Sequence, residues 1–136
     1  MMKESEQMME MLDLKILLCD DSLLVRKKVT TALTEAGFKH IFEASDGEEA
    51  VAFCKENRPD IVLLDIVMPK KDGIEALKEI KENDPDIYII MASSVGTQSN
   101  LIKALKSGAN TFIQKPVTKE AILDAVKQYL EERGDS

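Results

Sequence analysis

The stretch LLCDDSLLV, residues 17–25, places two aspartates directly after an apolar run. Charged groups avoid burial unless something compensates them, so a buried strand should end where Asp20 and Asp21 begin. The run KILLC, residues 15–19, has the length and the continuous apolar character of a strand that is covered on both faces. Apolar residues then recur at helical spacing from residue 23 onward. The stretch therefore predicts a strand, a polar turn and a helix in succession.

The same strand-then-helix pattern occurs five times along the chain. Strands are predicted at 15–19, 40–44, 60–64, 87–92 and 110–114, and helices at 23–36, 45–57, 72–83, 97–108 and 118–133. Apolar strands that alternate with amphipathic helices favour an α/β fold, with a parallel sheet covered on both faces and right-handed crossovers. Residues 1–13 are predicted to be an N-terminal extension, flexible or a short helix. Residues 14–133 form the predicted domain, and residues 134–136 a tail.

Composition narrows the classes of function. The chain has 136 residues and a net charge of -7, which argues against nucleic-acid binding by its bulk surface. No apolar run approaches the roughly 20 residues that a membrane helix needs, and the N-terminus lacks a signal-peptide pattern, so we expect a cytoplasmic protein without a membrane partner. Cys19 and Cys54 lie in apolar contexts 35 residues apart and are predicted to be reduced core thiols.

Polar side chains follow four of the five predicted strands: Asp20 and Asp21, Asp65, Ser93, and Lys115. In open α/β sheets, ligands bind outside the carboxyl ends of the strands. Carboxylates ~5 Å apart at an effective dielectric near 20 repel each other by about 3 kcal/mol per pair, so the cluster should take up a proton or a cation. An all-oxygen site with few protein ligands suits Mg²⁺. Beside Mg²⁺ a carboxylate can accept a phosphoryl group, with the lysine neutralising charge and the serine donating a hydrogen bond.

The segments LLCDDS, LLDIVMPKKDG, IIMASS and FIQKP together resemble the receiver domain of two-component response regulators, in the CheY-like superfamily. The likeness covers about residues 15–133. Single pieces are weak signals, but four pieces in order at predicted strand ends have a low risk of coincidence. The resemblance implies a doubly wound, flavodoxin-like (βα)5 fold whose five-stranded parallel sheet has the order 2-1-3-4-5, known from chemotaxis receivers.

The resemblance also implies roles for the residues at the strand ends. Asp65 would be the phosphorylation site. Asp21 would bind Mg²⁺ directly and Asp20 mainly through water, with Asp65 and the backbone carbonyl of Val67 completing the protein ligands. Lys115 would contact the phosphoryl group.

Further positions match the family's switch and its turns. The peptide bond before Pro116 would be cis. Ser93 and Phe112 match the switch pair, in which the hydroxyl moves toward the phosphoryl group and the ring turns inward behind it. Pro69 and Gly73 match the turn after the phosphorylation site.

The implied function is a phosphoacceptor signalling switch rather than a turnover enzyme. The phosphoryl donor would be a phosphohistidine on a sensor histidine kinase or a histidine phosphotransfer protein. Phosphorylation would change the face formed by residues 97–133 and so regulate a downstream protein target, without direct binding of nucleic acid by this domain. If the chain is complete, output passes through protein contacts.

Two alternatives share parts of this pattern. An Mg²⁺-dependent phosphatase of the haloacid dehalogenase type also uses an aspartate nucleophile after a strand, but places a second aspartate where this chain has Val67. A flavodoxin-like FMN binder cradles phosphate in its first loop, where the acids of this chain would repel it.

Two residues near the predicted phosphorylation site bear on how long the phosphoryl group stays. The apolar side chains of Val67 and Val95 cannot orient an attacking water, which predicts slow dephosphorylation of Asp65.

Overall fold

The centre of the fold is a five-stranded parallel sheet with the strand order β2-β1-β3-β4-β5. The computed structural model describes residues 4–68 and 70–133. The strands are β1 (Lys15–Cys19), β2 (His40–Ala44), β3 (Ile61–Asp65), β4 (Tyr88–Ser93) and β5 (Thr111–Gln114). The predicted fold and strand order are confirmed, and no predicted strand end is more than one residue from the observed one.

Helices cover both faces of this sheet. They are α1 (Glu4–Leu12), α2 (Leu23–Glu35), α3 (Gly47–Asn57), α4 (Gly73–Asn83), α5 (Gln98–Lys106) and α6 (Lys119–Arg133), with a short 3₁₀ helix at Val95–Thr97.

The residues of the central strands alternate between two hydrophobic clusters. Leu17 and Leu64 pack beneath α3, α4 and α5. Ile16 and Leu63 pack beneath α1, α2 and α6. Successive side chains of a strand point to opposite faces, and both faces are covered here, which explains why these strands read as continuous apolar runs.

The turns that follow β1, β2 and β3 each end in a side chain that caps the next helix. Ser22, Asp46 and Asp72 accept hydrogen bonds from backbone N–H groups three residues further on, at 3.3, 2.9 and 2.9 Å. Such caps satisfy N–H groups that the first helical turn leaves without partners. The caps therefore fix where each helix starts relative to the carboxyl end of the sheet.

The helix predicted at 97–108 differs in its bounds. A 3₁₀ helix occupies Val95–Thr97, where the Ser94 backbone N–H donates to the Thr97 hydroxyl at 2.9 Å, and α5 follows. The helix stops at Lys106, and Gly108 has a φ of +117°, which favours glycine.

The N-terminal helix α1 packs at the edge of the α2–α6 layer. Met11 is buried in that cluster, Leu12 packs against Gly37, and Glu10 forms an ion pair with Arg133. Met8 lies exposed. The domain boundaries at residues 14 and 133 remain predictions, and residues 1–3 and 134–136 lie outside the described residues.

Cys19 and Cys54 are free thiols in the core. Burial raises the pKa of Cys54 to about 12 and also raises that of Cys19. Within residues 4–68 and 70–133, no helix combines the length and apolar character that crossing a bilayer requires.

Candidate functional site

Three carboxylates meet at the carboxyl ends of β1 and β3. Asp20 and Asp21 follow β1, and Asp65 is the last residue of β3, which pairs with β1 in the sheet. One oxygen from each of the three residues lies within 4.8 Å of the others. Asp20 and Asp65 are buried, whereas Asp21 is exposed. The structure therefore brings the three predicted acids into one cluster that is open to solvent on one side.

Lys115 joins this cluster from the end of β5. Its ammonium lies 3.0 Å from Oδ2 of Asp20 and 3.0 Å from Oδ2 of Asp65. Its backbone N–H donates to the Ser93 carbonyl at 2.7 Å, and the peptide bond to Pro116 is cis. The lysine is thus held at its backbone by β4 and at its side chain by two acids.

Burial and charge act against each other at these groups. Burial is the largest influence on Asp65 and raises its pKa, an effect that the hydrogen bond from Lys115 partly offsets. For Lys115, burial disfavours the ammonium, but the contacts with Asp20 and Asp65 outweigh it and raise the pKa of the lysine. Ionised, the three carboxylates and the lysine carry a net charge of about -2, which a divalent cation would balance.

The two buried acids differ in how their oxygens are engaged. Oδ1 of Asp20 accepts from the Ser22 backbone N–H at 2.8 Å, while its Oδ2 faces Lys115. Asp65 contacts Lys115 through Oδ2, and its Oδ1 has no hydrogen-bond partner among residues 4–68 and 70–133. One oxygen of Asp65 is therefore left for another ligand.

A residue that the sequence did not single out also holds Asp20. The guanidinium of Arg26 donates to the Asp20 carbonyl, and its Nε lies 3.0 Å from a carboxylate oxygen of Glu43. Arg26 stands one turn into α2 and Glu43 on β2, so only the folded sheet brings them together. Arginines on helices are usually exposed to solvent, and nothing in the sequence around Arg26 indicates that it would contact Asp20.

The loop after Asp65 returns closely to the strand it leaves. The Gly73 backbone N–H donates to the Ile66 carbonyl at 2.8 Å, and a Cβ atom at position 73 would lie 2.1 Å from the Asp65 carbonyl oxygen. Only glycine fits this approach. Val67 lies in this loop with its side chain 57% exposed, and Pro69 lies outside the described residues.

The structure places the predicted switch pair on neighbouring strands but in different surroundings. Ser93, the last residue of β4, is 1% exposed and lies one position beyond Ala92, which pairs with Asp65. Phe112 on β5 pairs with Met91 and is 47% exposed. The hydroxyl residue therefore borders the acidic cluster, whereas the aromatic ring faces outward.

A family model described as the response regulator receiver domain matches residues 16–127. The chain belongs to this family. The chemotaxis protein CheY of Bacillus subtilis is 43% identical over 116 residues, which are 85% of this chain and 97% of that protein. The chemotaxis protein CheY of Halobacterium salinarum is 45% identical over 116 residues, covering 85% and 96% of the two chains. A receiver domain protein from Clostridium thermocellum has a similar structure, with a TM-score of 0.83 and 30% identity over 89% of this chain and 97% of its own.

This membership fixes the general function. The chain is a receiver domain of two-component response regulators, a phosphoacceptor signalling switch. Receiver domains generally bind Mg²⁺ at an acidic pocket, are phosphorylated by histidine kinases and regulate downstream partners. The phosphatase alternative is not favoured.

Proposed function

We propose that Asp65 is the residue that accepts the phosphoryl group. The observation that supports this assignment is the free oxygen of its buried carboxylate. Both oxygens of Asp20 are engaged, and Asp21 is exposed without an ordered partner among the described residues. Of the three acids, and within the part of the chain that the structure describes, only Asp65 combines burial at a strand end, a neighbouring lysine and an oxygen without a hydrogen bond. A nucleophile needs such an unengaged lone pair and a fixed position.

The proposed step is an in-line phosphoryl transfer. Oδ1 of Asp65 forms the new P–O bond while the P–N bond of a phosphohistidine breaks, and its electron pair remains on the imidazole nitrogen. Catalysis of such a step consists of positioning and charge neutralisation. Lys115, 3.0 Å from Asp65, would donate to a phosphoryl oxygen, and the Ser93 hydroxyl at the end of β4 would donate to another.

Mg²⁺ fits the donor set at this edge of the sheet. The ligands would be Asp21 directly, Asp20 mainly through water, Asp65, and the backbone carbonyl of Val67. Because both Asp20 oxygens already accept hydrogen bonds, an indirect role suits that residue. The exposed side of the cluster leaves room for the waters that Mg²⁺ retains. The bound ion would supply charge neutralisation for the transferring group.

The output of the switch is proposed to pass through residues 97–133. Phosphorylation adds roughly -1.5 to -2 charges beside the Lys115 ammonium and the Ser93 hydroxyl. The exposed side chains of Phe112, Ile102 and Leu105 give this face an apolar component on which a protein target could pack.

A sensor histidine kinase or a histidine phosphotransfer protein would be the donor of the phosphoryl group. The domain would not turn over a substrate or bind nucleic acid or membranes, and a cytoplasmic location remains a prediction.

The deciding experiment is intact-mass measurement after incubation with Mg²⁺ and acetyl phosphate. The wild type should gain one phosphoryl group, and Asp65→Asn should gain none. Asp124→Asn, a substitution of an exposed acid on α6, is the charge-matched control and should be phosphorylated like the wild type. A phosphoryl group on Asp65→Asn, or none on the wild type while Mg²⁺ is bound, would contradict the assignment.

A further inference from the structure

We infer that the N-terminus of α3, at Asp46 and Gly47, positions the described residues of the loop after β3, 66–68 and 70–72, and thereby sets the affinity for Mg²⁺. This inference rests on the proposed function, in which the Val67 carbonyl is a metal ligand. Gly47 would be a positioning residue, since it acts through the loop rather than by touching the ion.

The main contact is between backbones. A Cβ atom at position 47 would lie 2.2 Å from the Lys71 carbonyl oxygen and 2.9 Å from its carbonyl carbon. The loop therefore lies directly on the first residue of α3, and glycine is the one residue whose bulk this approach permits. On the other side, the Lys71 ammonium pairs with Glu79 of α4, so this part of the loop is held by two helices.

A buried thiol adds a second link between the helix terminus and the loop. Sγ of Cys19 donates to the Asp46 carbonyl at 3.3 Å and lies 3.3 Å from Sδ of Met68. Cys19 and Met68 are both buried. The ammonium of Lys70 lies 3.6 Å from Asp46, but this pair is solvent-exposed on the lysine side and adds little.

These contacts leave Val67 between fixed points. The loop is anchored before Val67 by the strand end at Asp65, and after it by Met68, by Lys71 and by the close approach of Gly73. The Val67 side chain is exposed, so its backbone has no side-chain anchor in the core. Because Mg²⁺ demands near-ideal octahedral geometry, the position of the carbonyl that these anchors set should control binding.

The test is Gly47→Ala, with Gly96→Ala as the matched control. The new Cβ at position 47 forces the loop or the helix to move by roughly 1 Å, a displacement that can cost about 10²-fold in a positioned reaction. At position 96 a Cβ meets nothing within 4 Å. By calorimetry we expect Gly47→Ala to raise the Mg²⁺ dissociation constant about 10–100-fold, the range for residues that orient metal ligands. Gly96→Ala should bind Mg²⁺ like the wild type.

Two further readouts separate positioning from a general loss of structure. In metal-free protein, hydrogen exchange at the Gly73 amide, which is bonded to the Ile66 carbonyl, should be faster in Gly47→Ala, while the amides of β1 and β3 stay protected. Phosphorylation by acetyl phosphate should recover toward the wild-type rate at saturating Mg²⁺.

Unchanged Mg²⁺ affinity and unchanged Gly73 exchange in Gly47→Ala would overturn the inference while leaving the proposed function intact. Absence of Mg²⁺ binding by the wild type would overturn the proposed metal site, and the inference with it. If Gly47→Ala does not fold, Met68→Ala decides, because it removes the loop's contact with Cys19 without adding bulk. It should also weaken Mg²⁺ binding, and wild-type affinity in that variant would overturn the inference.

Discussion

Replacing Asp65 by asparagine should stabilise the metal-free protein, although it removes the proposed phosphoacceptor. Asp65 stands within 4.8 Å of two other carboxylates, Asp20 and Asp21, and 3.0 Å from the Lys115 ammonium. At an effective dielectric near 20, each repulsion at that separation costs about 3.5 kcal/mol, and the attraction contributes about 5.5 kcal/mol. Asparagine has nearly the same shape as aspartate but no charge, so the variant loses both the repulsion from the acids and the attraction to Lys115.

The repulsions and the attraction nearly cancel, so burial is the main cost of the Asp65 charge. Burial of Asp65 adds to the cost of its charge, while solvent around the exposed Asp21 reduces one of the repulsions. We therefore expect Asp65→Asn to raise the free energy of unfolding by about 1–2 kcal/mol at pH 7 and low salt. The direction agrees with the raised pKa of Asp65, for which burial is the main cause.

The dependence on pH gives the prediction a distinct signature. A carboxyl whose pKa is raised by folding favours the folded state below its unfolded pKa and loses that contribution as pH rises through the folded value. The two proteins should therefore be equally stable below the ordinary pKa of 3.8, where Asp65 is neutral in both states. The difference should open as pH rises through the raised pKa and should shrink in high salt.

Urea unfolding followed by circular dichroism, in buffer with a chelator, measures this difference. Adding Mg²⁺ should reverse the order, since a ligand at 100 times its dissociation constant stabilises the folded state by about 2.7 kcal/mol and the variant has lost one ligand. Asp124→Asn, which removes an exposed charge, should change stability by less than about 0.5 kcal/mol. Equal or lower stability of Asp65→Asn in chelator at pH 7 would show that Lys115 already compensates the cluster.

Three other substitutions test separate parts of the site. Lys115→Met should lower the free energy of unfolding of metal-free protein by about 2 kcal/mol, because Asp20 and Asp65 lose a charged donor; an unchanged urea midpoint would contradict this. Val67→Asn should shorten the lifetime of the phosphorylated protein, followed by intact mass after donor removal, since an amide can orient water; an equal or longer lifetime would count against the predicted effect. Phe112→Ala should change stability by less than about 1 kcal/mol, because the ring is 47% exposed, and should leave phosphorylation unchanged. A larger loss by urea unfolding would mean that the ring supports the core.

Much of the fold was readable because its signals are local. Strands that are buried on both faces are apolar along their length. The runs KILLC and IVLL therefore predict β1 and β3 directly. The end of α5 was harder to predict, because Gly108 marks the stop only approximately. The helix ends at Lys106, two residues before the positive φ of Gly108. The 3₁₀ turn before α5 depends on three hydrogen bonds between Ser94 and Thr97, which have no periodic signature in the sequence.

The acidic cluster is predictable from the strand ends together with the strand order that the family resemblance implies. Parallel strands end at one edge, so residues that follow β1, β3 and β5 had to converge there once the strand order was assumed. The contacts that orient the cluster were not predictable in this way. Two examples are the hydrogen bond from Arg26 to the Asp20 carbonyl and the close approach of Lys71 to Gly47. Both join elements that are distant in sequence, and the spacing of residues along the chain does not predict such contacts.

The charge of the cluster also restricts how a phosphorylation signal could leave it. Lys115 is tied through its backbone to Ser93 and through its ammonium to two acids, so it can follow new charge only by giving up existing contacts. Ser93 is buried at the end of β4, directly before the 3₁₀ turn that leads into α5. A hydroxyl drawn toward the phosphoryl group would pull on that turn first. The route from Asp65 to the face at residues 97–133 is therefore expected to run through the β4–α5 connection, where the Thr97 hydroxyl accepts from the Ser94 backbone N–H and donates to the Ser94 carbonyl.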